Sequence, residues 1–188
     1  DQADTFDQDP ALAPIRDRDD FRQAVAAIVE KARVEAEEEA RTVLAEAKSF
    51  PLSFELPDLD GKPVKLDDVR GKVTIVDFWG TWCPPCRMEL PHFVALYEKY
   101  REQGLEIVGV SYEQTPDPQQ AVATIRAFQE KTKLPYRLVL GDDATMASIQ
   151  PFEAFPTTLF LDSTGTVRAR LVGYHPRRKL EALVTALL

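Results

Sequence analysis

The sequence predicts an α/β protein in which a central mixed sheet is flanked by helices. The run "KVTIVDFW" at 72–79 is apolar, β-branched and aromatic, which is typical of a strand buried on both faces of a sheet. A helix-length segment separates it from a second strand-like run, "LEIVGVSY" at 105–112, and this order predicts a βαβ unit. Further on, "TTLFLDSTGTVRARLVG" at 157–173 places turn residues between two strand-like runs, which predicts a β-hairpin.

The remaining elements follow from local patterns. The stretch "SFELPDLDGKPVKL" at 53–66 predicts two short strands around Asp60-Gly61, because Asp-Gly is a preferred hairpin turn. The other predicted elements are helices from about Cys83 to Tyr100, across 118–132, near 144–150 and from Pro176 onward, and a short strand "YRLVL" at 136–140.

Residues 1–49 are predicted to form an N-terminal extension that is mainly one amphipathic helix, and residues 50–188 to form the main domain. From Asp19 onward, apolar residues recur every three or four positions. Asp19 or Asp20 is expected to cap this helix, and Pro51 to end it. Its apolar stripe needs a partner, which is either the main domain or a second copy of the helix.

Composition narrows the class of protein. The chain is 44% hydrophobic and 29% charged with a net charge of -8, which is typical of a globular protein and argues against a nucleic-acid partner. Its longest apolar run is too short to span a bilayer. Because the sequence begins at Asp1 rather than Met, a membrane tether or signal outside this segment stays open.

The only two cysteines, Cys83 and Cys86, lie three residues apart in "WCPPC". Such a pair forms a reactive dithiol, half of a metal site or a small covalent staple. A structural zinc site needs four ligands, and the only histidines are His92 and His175, so we expect no metal and assign neither histidine a role. A staple across so short a loop removes little unfolded-state entropy. Redox chemistry is therefore the favoured interpretation.

The position of the pair predicts a different chemical role for each cysteine. Cys83 follows a buried strand and falls where a helix begins, so the helix dipole favours its thiolate and makes it the expected nucleophile. Cys86, one turn further on the same face, is expected to resolve the mixed disulfide. Pro84 and Pro85 fit a first helical turn but remove two amide donors, which predicts only moderate stabilisation of the Cys83 thiolate.

Several motifs together resemble the thioredoxin superfamily. These are "VDFWGTWCPPC", Pro91 within the following helix, and "FPTT" at 155–158. The flanking stretches "LPDLDGKPVKLDDVRGK" and "CRMELPHFVALYEKYREQGLEIVGVSYE" resemble in particular the TlpA/ResA-like thiol-disulfide oxidoreductases. The resemblance covers about Phe50 to Leu188 and implies a thioredoxin-like fold with an N-terminal β-hairpin, to which the N-terminal helix is an extension.

The resemblance also implies roles for individual residues. Asp77 matches the buried acid beneath the dithiol of thioredoxins; a carboxylate on a doubly buried strand should have a raised pKa and accept a proton from Cys86. The alternative for Asp77 is an acid that is only hydrogen-bonded at a strand end. The predicted catalytic residues are Cys83, Cys86 and Asp77, and the predicted substrate-binding residues are Trp82, Pro84, Pro85, Phe155 and the cis-proline Pro156.

Two further residues receive structural interpretations. Trp79 is expected in the core, and Glu113 is expected to be a solvated residue at a strand end, with a second acid near the site as the alternative. Some ResA-like proteins carry an acid between the two cysteines, where this chain has Pro84 and Pro85, so a specificity that depends on such an acid does not transfer.

The function implied is exchange of disulfides with protein thiols, without a cofactor beyond the Cys83–Cys86 disulfide and with an electron donor that the sequence does not identify. The resemblance further implies an extracytoplasmic location and a reductase of exported proteins such as apocytochrome c. One alternative is a thiol peroxidase, although Thr81 lies closer to Cys83 than the threonine of that chemistry. Another is a binding module that uses the N-terminal helix.

Overall fold

The apolar run predicted as a buried strand at 72–79 forms a central strand of a six-stranded mixed sheet. The computed structural model describes residues 9–188. The strands are β1 (Phe50–Pro51), β2 (Glu55–Pro57), β3 (Pro63–Lys65), β4 (Val73–Trp79), β5 (Leu105–Ser111), β6 (Arg137–Leu140), β7 (Thr157–Asp162) and β8 (Thr166–Val172). The helices are α1 (Asp19–Glu46), α2 (Pro84–Tyr100), α3 (Pro118–Thr132), α4 (Asp143–Ser148) and α5 (Arg177–Leu187), with 3₁₀ turns at Pro10–Leu12, Leu66–Val69 and Arg101–Gln103.

The sheet has the strand order β1-β8-β7-β4-β5-β6. β4 pairs in parallel with β5 and antiparallel with β7, so the predicted βαβ unit and the C-terminal hairpin join at this strand. All seven residues of β4 are buried. Side chains alternate along a strand, so Ile75 and Trp79 pack in the core that includes α2, whereas Val76 and Phe78 pack in the core on the opposite face. This confirms the predicted α/β fold.

The predicted hairpin before the sheet is also present. β2 and β3 pair antiparallel, with Leu56 opposite Val64. The Asp58 carboxylate accepts hydrogen bonds from the amides of Asp60 and Lys62, at 2.8 and 2.9 Å, and so closes the turn. Gly61 has a φ of +77°, a conformation that favours glycine and explains the Asp-Gly pair.

The N-terminal helix α1 packs on α5. Of the two partners considered for its apolar stripe, the structure therefore shows the main domain. Ala36 and Ala40 are the buried residues of α1, and Glu39 forms an ion pair of 2.7 Å with Lys179 of α5. The earlier part of the helix is less covered, since Ile28 is 49% exposed. Within residues 9–188, no helix is both long and apolar enough to cross a membrane.

The expected ends of α1 were wrong. The residue at the N-cap is Arg18, which caps through no side-chain hydrogen bond, and Asp19 and Asp20 lie in the first turn. There their negative charges interact favourably with the positive end of the helix dipole, and they do not serve as caps. The helix ends at Glu46, and Pro51 pairs with Thr166 as part of β1.

The packing of α1 on α5 predicts the result of placing a charge at Ala40. Ala40→Glu should lower the free energy of unfolding by about 2 kcal/mol or more, because a carboxylate would enter a contact in which Ala40 is 1% exposed. Ala27→Glu, at an exposed position of the same helix, is the matched control and should change stability by less than about 0.5 kcal/mol. Urea unfolding measures both; equal stabilities would contradict this packing.

Candidate active site

The two cysteines form a disulfide at the start of α2. Cys83 is the N-cap residue, and its sulfur accepts a hydrogen bond of 3.3 Å from the amide of Cys86. Pro84 and Pro85 occupy the first positions of the helix, where a missing N–H costs little. The two cysteines are 2% and 1% exposed, whereas Pro84 is exposed. The Cys86 amide is therefore the first backbone donor that the helix offers to Cys83.

The turn between β4 and α2 requires glycine at position 80. The amide of Cys83 donates to the Gly80 carbonyl at 3.1 Å. A Cβ atom on Gly80 would lie 2.4 Å from Nε1 of Trp82 and 2.7 Å from the carbonyl oxygen of Tyr112, which is closer than atoms pack. The indole of Trp82 can cross the backbone only because position 80 has no side chain.

Four aromatic side chains form a cluster beside this turn: Trp82, Tyr112, Phe152 and Phe155. Trp82 Nε1 donates to the Tyr112 carbonyl at 2.7 Å, and its ring meets Phe155 edge-on with centroids 5.5 Å apart. Phe155 in turn contacts Phe152, with centroids 4.8 Å apart. Trp82 remains 38% exposed, so the cluster offers an apolar surface to solvent. Trp79 is fully buried against Phe128, as expected of a core residue.

Pro156 lies at the same end of the sheet. It precedes Thr157, which pairs with Phe78 of β4, and so lies near the point where the chain leaves β4 for Cys83. The Phe155–Pro156 peptide bond is cis. Pro156 is buried, and its carbonyl accepts a hydrogen bond of 2.8 Å from the amide of Gly173.

Asp77 lies on the face of β4 that points toward the α2 core. It is 1% exposed, and burial raises its pKa well above the ordinary value. The nearby carboxyl of Glu89 raises the pKa further, and the Thr158 hydroxyl, which donates at 3.5 Å, offsets part of the rise. Its surroundings therefore favour the neutral form of Asp77 and make its carboxylate a stronger base than an exposed one.

Glu89 is a second buried acid that the sequence argument missed. It lies one helical turn after Cys86 on α2, is 0% exposed, and accepts a hydrogen bond of 2.8 Å from the amide of His175. Burial raises its pKa to about 7. The signal was present: Cys86, Glu89, Leu90 and Phe93 follow the spacing of one helix face, and a glutamate in that apolar stripe must be buried.

Each histidine has a partner, although neither was assigned a role. His175 holds Glu89 through its backbone amide, and its ring Nε2 lies 3.2 Å from the carbonyl oxygen of Val172. Burial lowers the pKa of His175. His92 lies 3.1 Å from the hydroxyl of Tyr174. His175 therefore contributes to the site through its main chain.

The expectation that Glu113 is a solvated strand-end residue was wrong. Its carboxylate accepts hydrogen bonds from the amide of Thr81 at 3.0 Å, from the hydroxyl of Thr81 at 2.6 Å and from the hydroxyl of Ser111 at 3.0 Å. The residue is half-buried. It joins the end of β5 to the turn that carries the disulfide, and an isolated glutamate after a strand gives no sign of such a contact.

A disulfide at a helix N-terminus on a mixed sheet, with a cis-proline at the same end of that sheet, defines a thioredoxin-like oxidoreductase. The chain belongs to the AhpC/TSA family, whose model matches residues 47–170, and to the ResA-like thiol-disulfide oxidoreductases among its members. It is 30% identical over 129 residues to thiol-disulfide oxidoreductase ResA of Bacillus cereus, covering 69% of this chain and 71% of the relative. It is 32% identical over 141 residues to ResA of Geobacillus kaustophilus, covering 75% and 77%.

A solved structure supports the same class. A crystal structure of a putative thiol:disulfide interchange protein DsbE from Chlorobium tepidum has a TM-score of 0.61 and 27% identity, and the match covers 75% of this chain and 97% of that one. Together these similarities show an enzyme that exchanges thiols and disulfides. They do not favour the thiol peroxidase or the binding module considered from the sequence.

The buried Glu89 predicts a pH dependence of stability. Its pKa rises from 4.5 to about 7 on folding, so the folded protein binds more protons than the unfolded chain between these pH values. Stability therefore falls as the pH rises through this window and levels off above it. Glu89→Gln cannot ionise and can still accept from the His175 amide, so the oxidised variant should be more stable than the wild type at pH 8, by up to about 3 kcal/mol.

Urea unfolding of the oxidised protein at pH 4 and pH 8 measures this effect. The difference between Glu89→Gln and the wild type should be small at pH 4 and large at pH 8. Glu130→Gln, at an exposed position of α3, is the control and should keep the wild-type pH dependence. A Glu89→Gln variant with the same pH dependence as the wild type would show that Glu89 ionises as freely in the folded protein as in the unfolded chain.

Proposed function

We propose that the protein reduces disulfides of other proteins outside the cytoplasm, with Cys83 as nucleophile and Cys86 as resolving thiol. The position of Cys83 at the N-cap of α2 carries the assignment, because this is where the helix dipole favours a thiolate. Cys86 lies within the first turn, and its amide already contacts the Cys83 sulfur. The relatives named thiol-disulfide oxidoreductase ResA support the disulfide exchange, and the proposal adds to it the extracytoplasmic location and exported substrates such as apocytochrome c.

The chemistry requires two exchanges. The Cys83 thiolate attacks one sulfur of the substrate disulfide, forms a mixed disulfide, and releases the other substrate sulfur as a thiolate that takes up a proton. Cys86 then loses its proton and attacks the Cys83 sulfur, which releases the second substrate thiolate. The substrate gains two electrons, and the enzyme is left as the Cys83–Cys86 disulfide. An electron donor of the dithiol class must reduce this disulfide again, so no further cofactor is required.

The second exchange requires a group that accepts the Cys86 proton. Asp77 lies on the adjacent buried strand, and Glu89 follows Cys86 by one turn of the helix. The raised pKa of both acids makes them suitable proton acceptors near neutral pH, where a carboxyl with an ordinary pKa would be too weak a base. We assign this step to Asp77 with Glu89 as its buried neighbour.

The surroundings of Cys83 favour reduction over oxidation. A dithiol is strongly oxidising when its thiolate is stabilised, because stabilisation favours the reduced form. Pro84 and Pro85 offer no amide to the Cys83 sulfur, which leaves the Cys86 amide at 3.3 Å. The buried acids Asp77 and Glu89 add no positive charge. The reduced form is therefore poorly stabilised, as expected of an electron donor.

The exposed surface next to the disulfide suits an unfolded or extended protein segment. Trp82 and Phe155 present apolar rings, Pro84 is exposed, and Pro85 is half-buried beside it. Pro156 has no N–H to donate and its carbonyl is paired with the amide of Gly173, so the main chain of Phe155, just before it, is the proposed pairing partner of a substrate strand. Such contacts select for accessible backbone near a cysteine rather than for one amino-acid sequence.

Trapping of a mixed disulfide tests the assigned roles. Reduced Cys86→Ser should capture a synthetic peptide that contains an internal disulfide as a stable adduct through Cys83, which mass spectrometry detects. The wild type should release the reduced peptide, because Cys86 resolves the adduct. Cys83→Ser is the matched control and should form no adduct. Capture of the peptide by Cys83→Ser and not by Cys86→Ser would reverse the two roles, and equal capture by both would contradict the assignment of Cys83 as the nucleophile.

A further inference from the structure

We propose that Glu113 is a positioning residue for disulfide exchange: it holds Thr81, and thereby fixes the turn that presents Trp82 and Cys83. This inference rests on the proposed role of Cys83 as nucleophile. Glu113 lies two residues beyond the end of β5, on the neighbour of the strand that leads to the cysteines. It contacts the turn from outside the "WCPPC" segment, on a separate element of the fold.

The contact is strongest with a carboxylate. Both hydrogen-bond donors of Thr81, its amide and its hydroxyl, point at Glu113, one to each carboxylate oxygen, at 3.0 and 2.6 Å. Ser111 donates to Oε1 at 3.0 Å and so orients the carboxylate from the strand side. A glutamine can accept from the Thr81 amide only through its carbonyl oxygen, and its NH2 group can only donate to the Thr81 hydroxyl, so it replaces charge-assisted hydrogen bonds by weaker neutral ones.

A second contact lies directly beside the first. The backbone carbonyl of Tyr112 accepts a hydrogen bond from Trp82 Nε1 at 2.7 Å, and the Tyr112 amide donates to the Trp79 carbonyl at 2.8 Å. Consecutive residues after β5 thus hold consecutive residues of the turn: Tyr112 holds Trp82, and Glu113 holds Thr81. We name these paired contacts the turn clasp.

The turn clasp matters most in the reduced enzyme. In the oxidised protein, the disulfide itself ties Cys83 to α2. After reduction that bond is gone, and the direction of the Cys83 sulfur depends on the hydrogen bonds of the preceding residues. Exchange requires three sulfur atoms to approach along a line, so a turn that moves freely would reduce the fraction of productive encounters. Glu113 therefore acts on the reaction through Thr81 and does not touch the substrate.

Substitutions on both sides of the contact test this role. Glu113→Gln and Thr81→Val should each lower the second-order rate of peptide disulfide reduction about tenfold. Thr81→Ser keeps both the amide and the hydroxyl, so it should retain most of the wild-type rate. Glu130→Gln, at an exposed position, should match the wild type. The thermal midpoint of the oxidised variants should change little, because the disulfide still closes the turn.

Amide hydrogen exchange is a second test of the Glu113–Thr81 contact, and it does not depend on activity. In the reduced protein, the Thr81 amide should exchange faster in Glu113→Gln than in the wild type, and the increase should be smaller in the oxidised protein. A Glu113→Gln variant with wild-type exchange at Thr81 and a wild-type rate would overturn the inference. So would a Thr81→Ser variant as slow as Thr81→Val. Loss of the proposed function itself would appear differently, as reduction by Cys83→Ser or no reduction by the wild type.

Discussion

The burial of β4 on both faces is the constraint on which the site depends. Helices cover one face of β4, the segment that contains the β2–β3 hairpin covers the other, and the strand ends at Trp79. The chain must then reverse into α2 within a few residues, which requires Gly80 and places Cys83 at the N-terminus of the helix. The same strand carries Asp77 into the core on the side of α2. One buried strand therefore sets the position of both the nucleophile and an acid.

Two carboxyl groups in that core connect reactivity with stability. Asp77 is buried by the strand and Glu89 by the helix, and each raises the free energy of placing a negative charge beside the other. A protein selected only for stability would have apolar residues at both positions. Keeping two acids there destabilises the folded protein at high pH, but it provides two carboxyl groups with raised pKa values, of which Glu89, with a pKa of about 7, lies one helical turn after the resolving Cys86. The same charges disfavour a thiolate in the reduced enzyme, which agrees with the direction of electron transfer proposed above.

Much of the fold and the centre of the site could be predicted from the sequence because these features have local signals. Hydrophobic periodicity predicted the strands and helices of the sheet, and the spacing of Cys83 and Cys86 with Pro84 and Pro85 predicted a disulfide at a helix start. Glu89 was missed although its helical spacing places it on the same face as Cys86, because a charged side chain is usually expected to lie in solvent. Glu113 was considered as an acid near the site, but its contact with Thr81 could not be predicted, because the parallel pairing of β4 and β5 brings the two residues together. The sequence likewise could not show which element packs on α1, because α5 lies more than 100 residues further along the chain.

The reduction potential of the Cys83–Cys86 pair tests the central claim most directly, because it expresses the balance of all the interactions around the two sulfurs. The oxidised and reduced forms can be quantified after equilibration with thiol-disulfide buffers of known potential. The absence of amide donors at Pro84 and Pro85 and the two buried acids predict a potential of about −270 mV or lower, in the range of a thioredoxin-type reductant. A potential near about −120 mV would mark a strongly stabilised thiolate and an oxidant, and would contradict the proposed direction of electron transfer.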